Sequence, residues 1–268
     1  MPPKAPSSFS TSRFPQGKDR VTLDRAFSKA GMCSRTDALR KIQSGQVSVN
    51  GRVVRDPEMW VSQTRDVIRH EGRALQGATK VYLMLYKPRG VVTTHRDPDG
   101  RRTVYDLLTD LEAWVSPVGR LDKDTSGMLL LTNDTQFSEG LTNPVNKVPK
   151  TYQLKVSFNP TEEQLEMLRK GIFLKNGERT LPSKVRKLRC SERHAHLELE
   201  IVEGRNRQVR RMIEAIGGKV LKLVRTRIAT LTLGNLQVGR YRPLNGREVR
   251  ELKALFKIGR LTTGGDSA

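Results

Sequence analysis

The run Gly119-Arg120-Leu121-Asp122-Lys123-Asp124-Thr125-Ser126-Gly127 gathers two carboxylates and two cations directly before the apolar stretch Met128-Leu129-Leu130-Leu131-Thr132. A polar loop held against a buried strand is a rigid mount for a reactive group. Three uses compete. In a plain turn, Asp124 and Ser126 bond nearby amides, which is the commonest fate of such residues. A calcium loop opens in the same way, as Asp122-x-Asp124-x-Ser126-Gly127. It needs a glutamate at its twelfth position, where this chain has Asn133 at the far end of a strand-like run. In the third use, the Asp122 carboxylate works on a substrate as a nucleophile or as a base. Spacing alone does not raise the third use above the first.

Other clusters carry less. Cys190, His194 and His196 have no evident fourth ligand nearby, and the two histidines fall on the polar side of one strand pattern, so no metal site is expected. Lys87-Pro88-Arg89-Gly90 lacks the spacing of a nucleoside triphosphate loop. In residues 206–216, Val209, Met212, Ile213 and Ile216 form an apolar stripe closed by Gly217-Gly218. Arg207, Arg210, Arg211 and Glu214 are left on the opposite face.

The elements that must position these residues fall into two regions. In residues 21–72, Leu23, Ala26, Phe27 and Ala30 recur at helical spacing up to Gly31. Ser34-Arg35-Thr36-Asp37 then reads as a capping box opening a second helix, with Leu39 and Ile42 inward and Gly45 as its stop. Val47 and Val49 alternate with polar residues up to an Asn50-Gly51 hairpin turn. The result is a small ααβ unit with Arg35, Arg40, Lys41 and Arg52 on its outer face, suited to clamping RNA. Residues 73–80 read as a linker. Beyond it, residues 81–86, 128–132, 152–158 and 195–201 read as strands, with helices near 162–170, 206–216 and 247–256. Strands that outnumber the intervening helices predict an α+β domain over residues 81–257, built on a mainly antiparallel mixed sheet. Residues 258–268 read as a flexible tail.

Composition indicates the partner. The 268 residues include 49 Lys and Arg against 28 Asp and Glu, a formal net charge of +21. Such an excess draws polyanions through counterion release. With no apolar stretch of about 18 residues to span a bilayer, and no long basic amphipathic helix, nucleic acid is preferred over membrane. Two cysteines, Cys33 and Cys190, suggest no disulfide framework and fit a reducing compartment. Residues 1–20 read as a disordered basic arm; a transit peptide has the same composition, and cytoplasm is the default location.

The Asp122 run resembles the signature of the bacterial ribosomal pseudouridine synthases of the RsuA/RluB type. Tyr86-Lys87-Pro88-Arg89-Gly90, Lys150-Thr151-Tyr152 and Glu203-Gly204-Arg205-Asn206-Arg207-Gln208-Val209-Arg210-Arg211-Met212 match further motifs of that family. Residues 21–72 are similar to its S4 RNA-binding domain, through Ala30-Gly31-Met32-Cys33-Ser34-Arg35 and Val47-Ser48-Val49-Asn50-Gly51. One local departure is Arg35-Thr36-Asp37, where the family more often has a second arginine and a glutamate. The resemblance implies a cofactor-independent, metal-independent isomerisation of uridine to pseudouridine in ribosomal RNA, free or in a subunit assembly intermediate, by a monomer. Asp122 is implied as the reactive carboxylate, Arg210 as its ion-pair partner and Tyr152 as the ring that stacks on the target base. Arg207 and Arg211 are implied near phosphates, Arg120 is expected to contact the phosphate of the flipped nucleotide or to fill the vacated stack, and Lys87, Lys150 and Arg205 belong with the RNA contacts. The stretch Asp97-Pro98-Asp99-Gly100-Arg101-Arg102-Thr103-Val104 favours the large-subunit members over the small-subunit ones. The alternative from another class is a non-catalytic ribosomal-RNA-binding or ribosome-assembly protein on the same fold.

Overall fold

The computed structural model describes residues 20–75 and 79–258. They fall into two compact units, divided near Gly77.

The first unit is richer in strand than the expected ααβ. Strand β1 (Arg20–Thr22) leads into α1 (Leu23–Lys29) and α2 (Arg35–Gln43), followed by β2 (Val47–Val49), β3 (Arg52–Val53), β4 (Trp60–Ser62), β5 (Ile68–His70) and β6 (Arg73–Ala74). The order β3-β2-β5-β6 makes one small sheet, and β1 pairs with β4. Ser34 caps α2 by accepting from Asp37 N at 3.0 Å. The inward residues of α2 are Ala38 and Ile42, whereas Leu39 is exposed. Asn50 and Gly51 both take positive φ in a two-residue turn between β2 and β3, as the dipeptide predicts. The linker expected over residues 73–80 begins too early, because Arg73 and Ala74 pair with β5. The arm expected over residues 1–20 lies outside the described residues except for Arg20, which opens β1. The expected tail lies outside them beyond Ile258, the last residue of α6.

The second unit is a mixed sheet with helices on both faces. Its strands are β7 (Tyr82–Lys87), β8 (Ser116–Pro117), β9 (Ser126–Thr132), β10 (Lys150–Val156), β11 (Lys184–Cys190), β12 (Ala195–Ile201), β13 (Val220–Ile228), β14 (Leu231–Thr232) and β15 (Tyr241–Pro243). Its helices are α3 (Thr135–Thr142), α4 (Glu162–Lys170), α5 (Gln208–Ala215) and α6 (Gly246–Ile258). The strand order is β11-β12-β10-β13-β9-β7-β15, with β14 on β13 and β8 on β9. The ladders are antiparallel except at the seam, where β13 runs parallel to β9.

Strand β9 is apolar without alternation because both of its faces are covered. Met128 and Leu130 pack with Phe137 and Leu141 of α3 and Leu252 of α6. Leu129 and Leu131 belong to the opposite core, with Leu165 and Leu168 of α4 and Val209, Met212 and Ile213 of α5. The seam is unusually close at Gly127, where φ is +110° and an added Cβ would lie 2.3 Å from Arg225 O. Glycine is required there on both counts. This close approach sets β13, which the sequence patterns do not disclose as a strand, directly beside the polar loop.

Candidate active site

The loop before β9 is tied down carbonyl by carbonyl. Thr93 Oγ1 donates to Leu121 O at 2.8 Å. Thr125 N donates to Asp122 O at 3.0 Å and Gly90 N to Lys123 O at 2.8 Å. Arg210 Nη2 donates to Asp124 O at 2.9 Å. Lys87 Nζ donates to Pro88 O, Asp122 O and Thr125 O at 3.0, 3.2 and 2.8 Å. Such a loop has little freedom, as a catalytic mount requires.

Within it the two carboxylates differ. Asp124 is exposed and faces Arg89 Nε at 3.8 Å. Asp122 is half-buried and lines a cleft of about 880 Å³, and its carboxylate has no hydrogen-bond or ion-pair partner among the described residues. It is held by its backbone and left free at its side chain. The plain-turn reading has Asp124 and Ser126 bonding nearby amides; among the described residues Asp124 faces Arg89 instead, and Ser126 Oγ donates to Leu223 O at 3.4 Å.

The ion pair expected between Arg210 and Asp122 is not formed. Arg210, on α5, is buried, gives Nη1 to Val220 O at 3.2 Å and Nη2 to the Asp124 carbonyl, and keeps Nε buried without a partner among the described residues. Burial, then the charge of Arg207, holds its guanidinium below the usual value, while Asp124 and Asp122 pull the other way. Arg210 therefore meets the Asp122 loop at its backbone, and the Asp122 charge reaches it only through space. It sits on the face opposite the apolar stripe, as the spacing predicts, but that face is covered by the loop.

Tyr152 is 8 % exposed on β10, directly across from Arg225 of β13, and lines the same cleft. The exposed Arg120 and Arg207 and the half-exposed Arg205 line it too. Arg207 caps α5 with φ +48°, a left-handed conformation that costs a side-chain-bearing residue roughly 1–3 kcal/mol. The turn ahead of it is held by buried Glu203, which accepts from Leu181 N at 2.9 Å and from Gln208 Nε2 and pairs with Arg205 at 3.1 Å. Arg211 points elsewhere, to Glu178 at 3.5 Å, and does not line the cleft.

Lys87 corrects an expectation. It was placed with the RNA contacts, yet it is fully buried and its ammonium is consumed by three carbonyls. Burial brings it down to about 8, against the opposing pull of Asp122 and Asp124. Lys150, also expected among the RNA contacts, lines the cleft. Its Nζ donates to Val148 O at 3.0 Å, and burial, with Arg225 nearby, brings it also to about 8. Arg225 itself was missed. Its signal was a charged residue at an apolar-face position of a strand, two residues after Leu223, and it shows only once residues 220–228 are read as a strand.

In the first unit, the four expected cations are on the surface or partly so. Arg35 holds Asp24 at 2.7 Å, Arg40 faces Asp37 at 3.8 Å, Lys41 meets His70 Nε2 at 3.2 Å, and Arg52 is exposed on β3.

Comparison with known proteins gives the family. The RNA pseudouridylate synthase family profile matches residues 81–215, and an S4 domain profile matches residues 21–68. The chain belongs to the RNA pseudouridylate synthase family, with an S4 domain ahead of the catalytic one. It is 42% identical over 240 residues to the ribosomal large subunit pseudouridine synthase B of Bacillus subtilis, covering 89% of this chain and 98% of the relative. An uncharacterized RNA pseudouridine synthase of Aquifex aeolicus is 36% identical, over 87% of this chain and 93% of its own length. A crystal structure of a pseudouridylate synthase superimposes with a TM-score of 0.63 at 33% identity, covering 87% of this chain and 99% of that one.

Proposed function

We propose that this protein isomerises one uridine of large-subunit ribosomal RNA to pseudouridine, with Asp122 acting on the ribose, Tyr152 stacking on the flipped base and Arg210 holding the loop that presents Asp122. The observation that carries the reading is the Asp122 carboxylate itself, unpartnered in a cationic cleft on a loop whose five successive carbonyls, from Leu121 to Thr125, are each bonded. A non-catalytic RNA-binding protein would have no use for such a mount. The base must leave its stack, at a cost of a few kcal/mol, and Tyr152 restores about 1–3 kcal/mol of stacking. Arg120, Arg205 and Arg207 suit the flanking phosphates, and Arg35, Arg40, Lys41 and Arg52 of the S4 domain suit another part of the RNA. The isomerisation changes no redox state and transfers no phosphoryl group, so the chemistry is assigned to side chains alone.

We assign the protein as a cytoplasmic monomer acting on ribosomal RNA or an assembly intermediate. No helix among the described residues is long and apolar enough to cross a membrane. The test is tritium release from ribosomal RNA labelled at uridine C5. Wild type releases tritium from large-subunit RNA, and Asp122→Asn releases none. Release from small-subunit RNA alone would overturn the substrate, and release by Asp122→Asn would overturn the residue.

A further inference from the structure

Arg225 is 4 % exposed, lines the cleft, and donates from Nε to Met128 O at 2.8 Å, while its Nη2 is buried with no hydrogen-bond partner among the described residues. No carboxylate among the described residues pairs with it. A buried guanidinium is costly unless its charge and its donors are both answered. The nearby cation makes matters worse, because Lys150 lines the same cleft and, among the described residues, its ammonium hydrogen-bonds to a backbone carbonyl alone. Two like charges face one cavity, and no carboxylate among the described residues hydrogen-bonds or ion-pairs with either; that calls for electron density from a bound molecule.

The fold says which part of the substrate supplies it. Tyr152 and Arg225 are cross-strand partners on β10 and β13, and Lys150 lies two residues from Tyr152 along β10. A base stacked on Tyr152 therefore has these two cations at its edge. Phosphates have better partners in the solvent-exposed Arg120 and Arg207, whereas the flipped base enters deepest.

We propose that Arg225, together with Lys150, binds the carbonyl edge of the target uracil and stabilises the anion formed between cleavage at N1 and re-bonding at C5. The inference rests on the reading of Asp122 as the reactive carboxylate. Heterolysis of the C1′–N1 bond leaves its electron pair on uracil, spread over N1, O2 and O4. C1′ is then captured by the Asp122 carboxylate, or the sugar gives its C2′ proton to it. On either route the base departs as an anion. C5 next bonds to C1′, which regenerates the carboxylate or returns the C2′ proton, and the C5 proton is lost as N1 gains one. Buried donors aimed at developing charge are among the strongest catalytic devices.

The test compares large-subunit RNA transcribed with uridine or with 5-fluorouridine, whose fluorine stabilises the departing anion without help from the enzyme. Single-turnover loss of the N-linked nucleoside is followed by mass spectrometry of the fragment carrying the modified position, and RNA affinity is measured alongside. Removing such a donor typically costs about 100-fold or more. Arg225→Met is expected to slow uridine conversion by about that factor, to slow 5-fluorouridine conversion about 10-fold less, and to leave affinity nearly unchanged. Lys150→Met, which disturbs no strand pairing, is expected to show the same selective loss and keeps the test open if Arg225→Met folds poorly. Equal slowing of both substrates by Lys150→Met and by any folded Arg225→Met, or affinity falling in step with rate as a phosphate contact would give, overturns the inference. Asp122→Asn abolishes conversion of both substrates; activity there would overturn the Asp122 reading and the inference with it.

Discussion

Replacing Lys87 by Met removes the ammonium that clasps the Asp122 loop while keeping a side chain of similar length. Of its three acceptors, Asp122 O retains the Thr125 amide, whereas Pro88 O and Thr125 O lose the donor that reaches them. Each buried carbonyl left unmade costs about 1–3 kcal/mol, so the gross penalty is roughly 2–6 kcal/mol. Removing a buried charge offsets part of that, and a net loss of about 3 kcal/mol is expected. For a unit of this size that corresponds to a fall of about 6–12 °C in Tm. The loop also loses its anchor, and a displacement of about 1 Å at a catalytic group costs roughly 100-fold in rate. Calorimetry and tritium release on the same preparation measure both effects, with RNA affinity expected to stay within about 3-fold because Lys87 does not reach the RNA. The pH dependence has a defined sign. Lys87 is depressed to about 8 in the folded chain, so above that pH the native state has shed a proton that the unfolded chain still holds. The wild type should therefore gain stability relative to Lys87→Met as pH rises from about 8 towards the unfolded lysine value of about 10.4. A variant that melts within about 2 °C of wild type and turns over at the normal rate would refute the clasp.

Other expectations follow from single contacts. Gly127→Ala sets a Cβ 2.3 Å from Arg225 O at a φ of +110°, so β9 and β13 must part; denaturant titration should show a loss above about 4 kcal/mol, or no soluble protein. Asp134 caps α3 and accepts from Tyr82 Oη at 2.7 Å, with Lys80 and Lys253 at 3.1 and 3.2 Å. Burial opposes its charge, but the Tyr82, Lys80 and Lys253 hydrogen bonds prevail and hold it at about 2. Its stabilising contribution is complete above the unfolded aspartate value of about 3.9 and is lost as pH falls towards 2, so acid titration of Asp134→Asn should lack that component. Tyr152→Leu removes the stacking ring and should weaken productive RNA binding by about 1–3 kcal/mol, or about 5- to 150-fold, whereas Tyr152→Phe keeps the stack; equal losses would reject stacking.

Local physics made much of this protein legible before any tertiary contact was known. The strand at Ala195–Ile201 alternates, the helix at Glu162–Lys170 carries its apolar stripe, and Asn245 and Glu248 cap α6 reciprocally at 2.9 Å in both directions. Each of these depends on residues within a few positions of one another, so spacing suffices. Asp122 was also singled out, though only resemblance separated it from a turn residue. What the sequence left undecided is the state of each charge. Lys87 looked like a surface cation and is a buried clasp, because β7 pairs with β9 and carries it beneath the loop. Arg210 was expected at the Asp122 carboxylate and instead holds a carbonyl two residues on. Arg225 was invisible, since its role depends on a parallel pairing and on a hydrogen bond to a residue 97 positions away. Residue type and spacing determined which charges this chain has, but whether a charge is solvated, spent on the backbone or held for a substrate is a matter of burial, and only the packed sheet decides that.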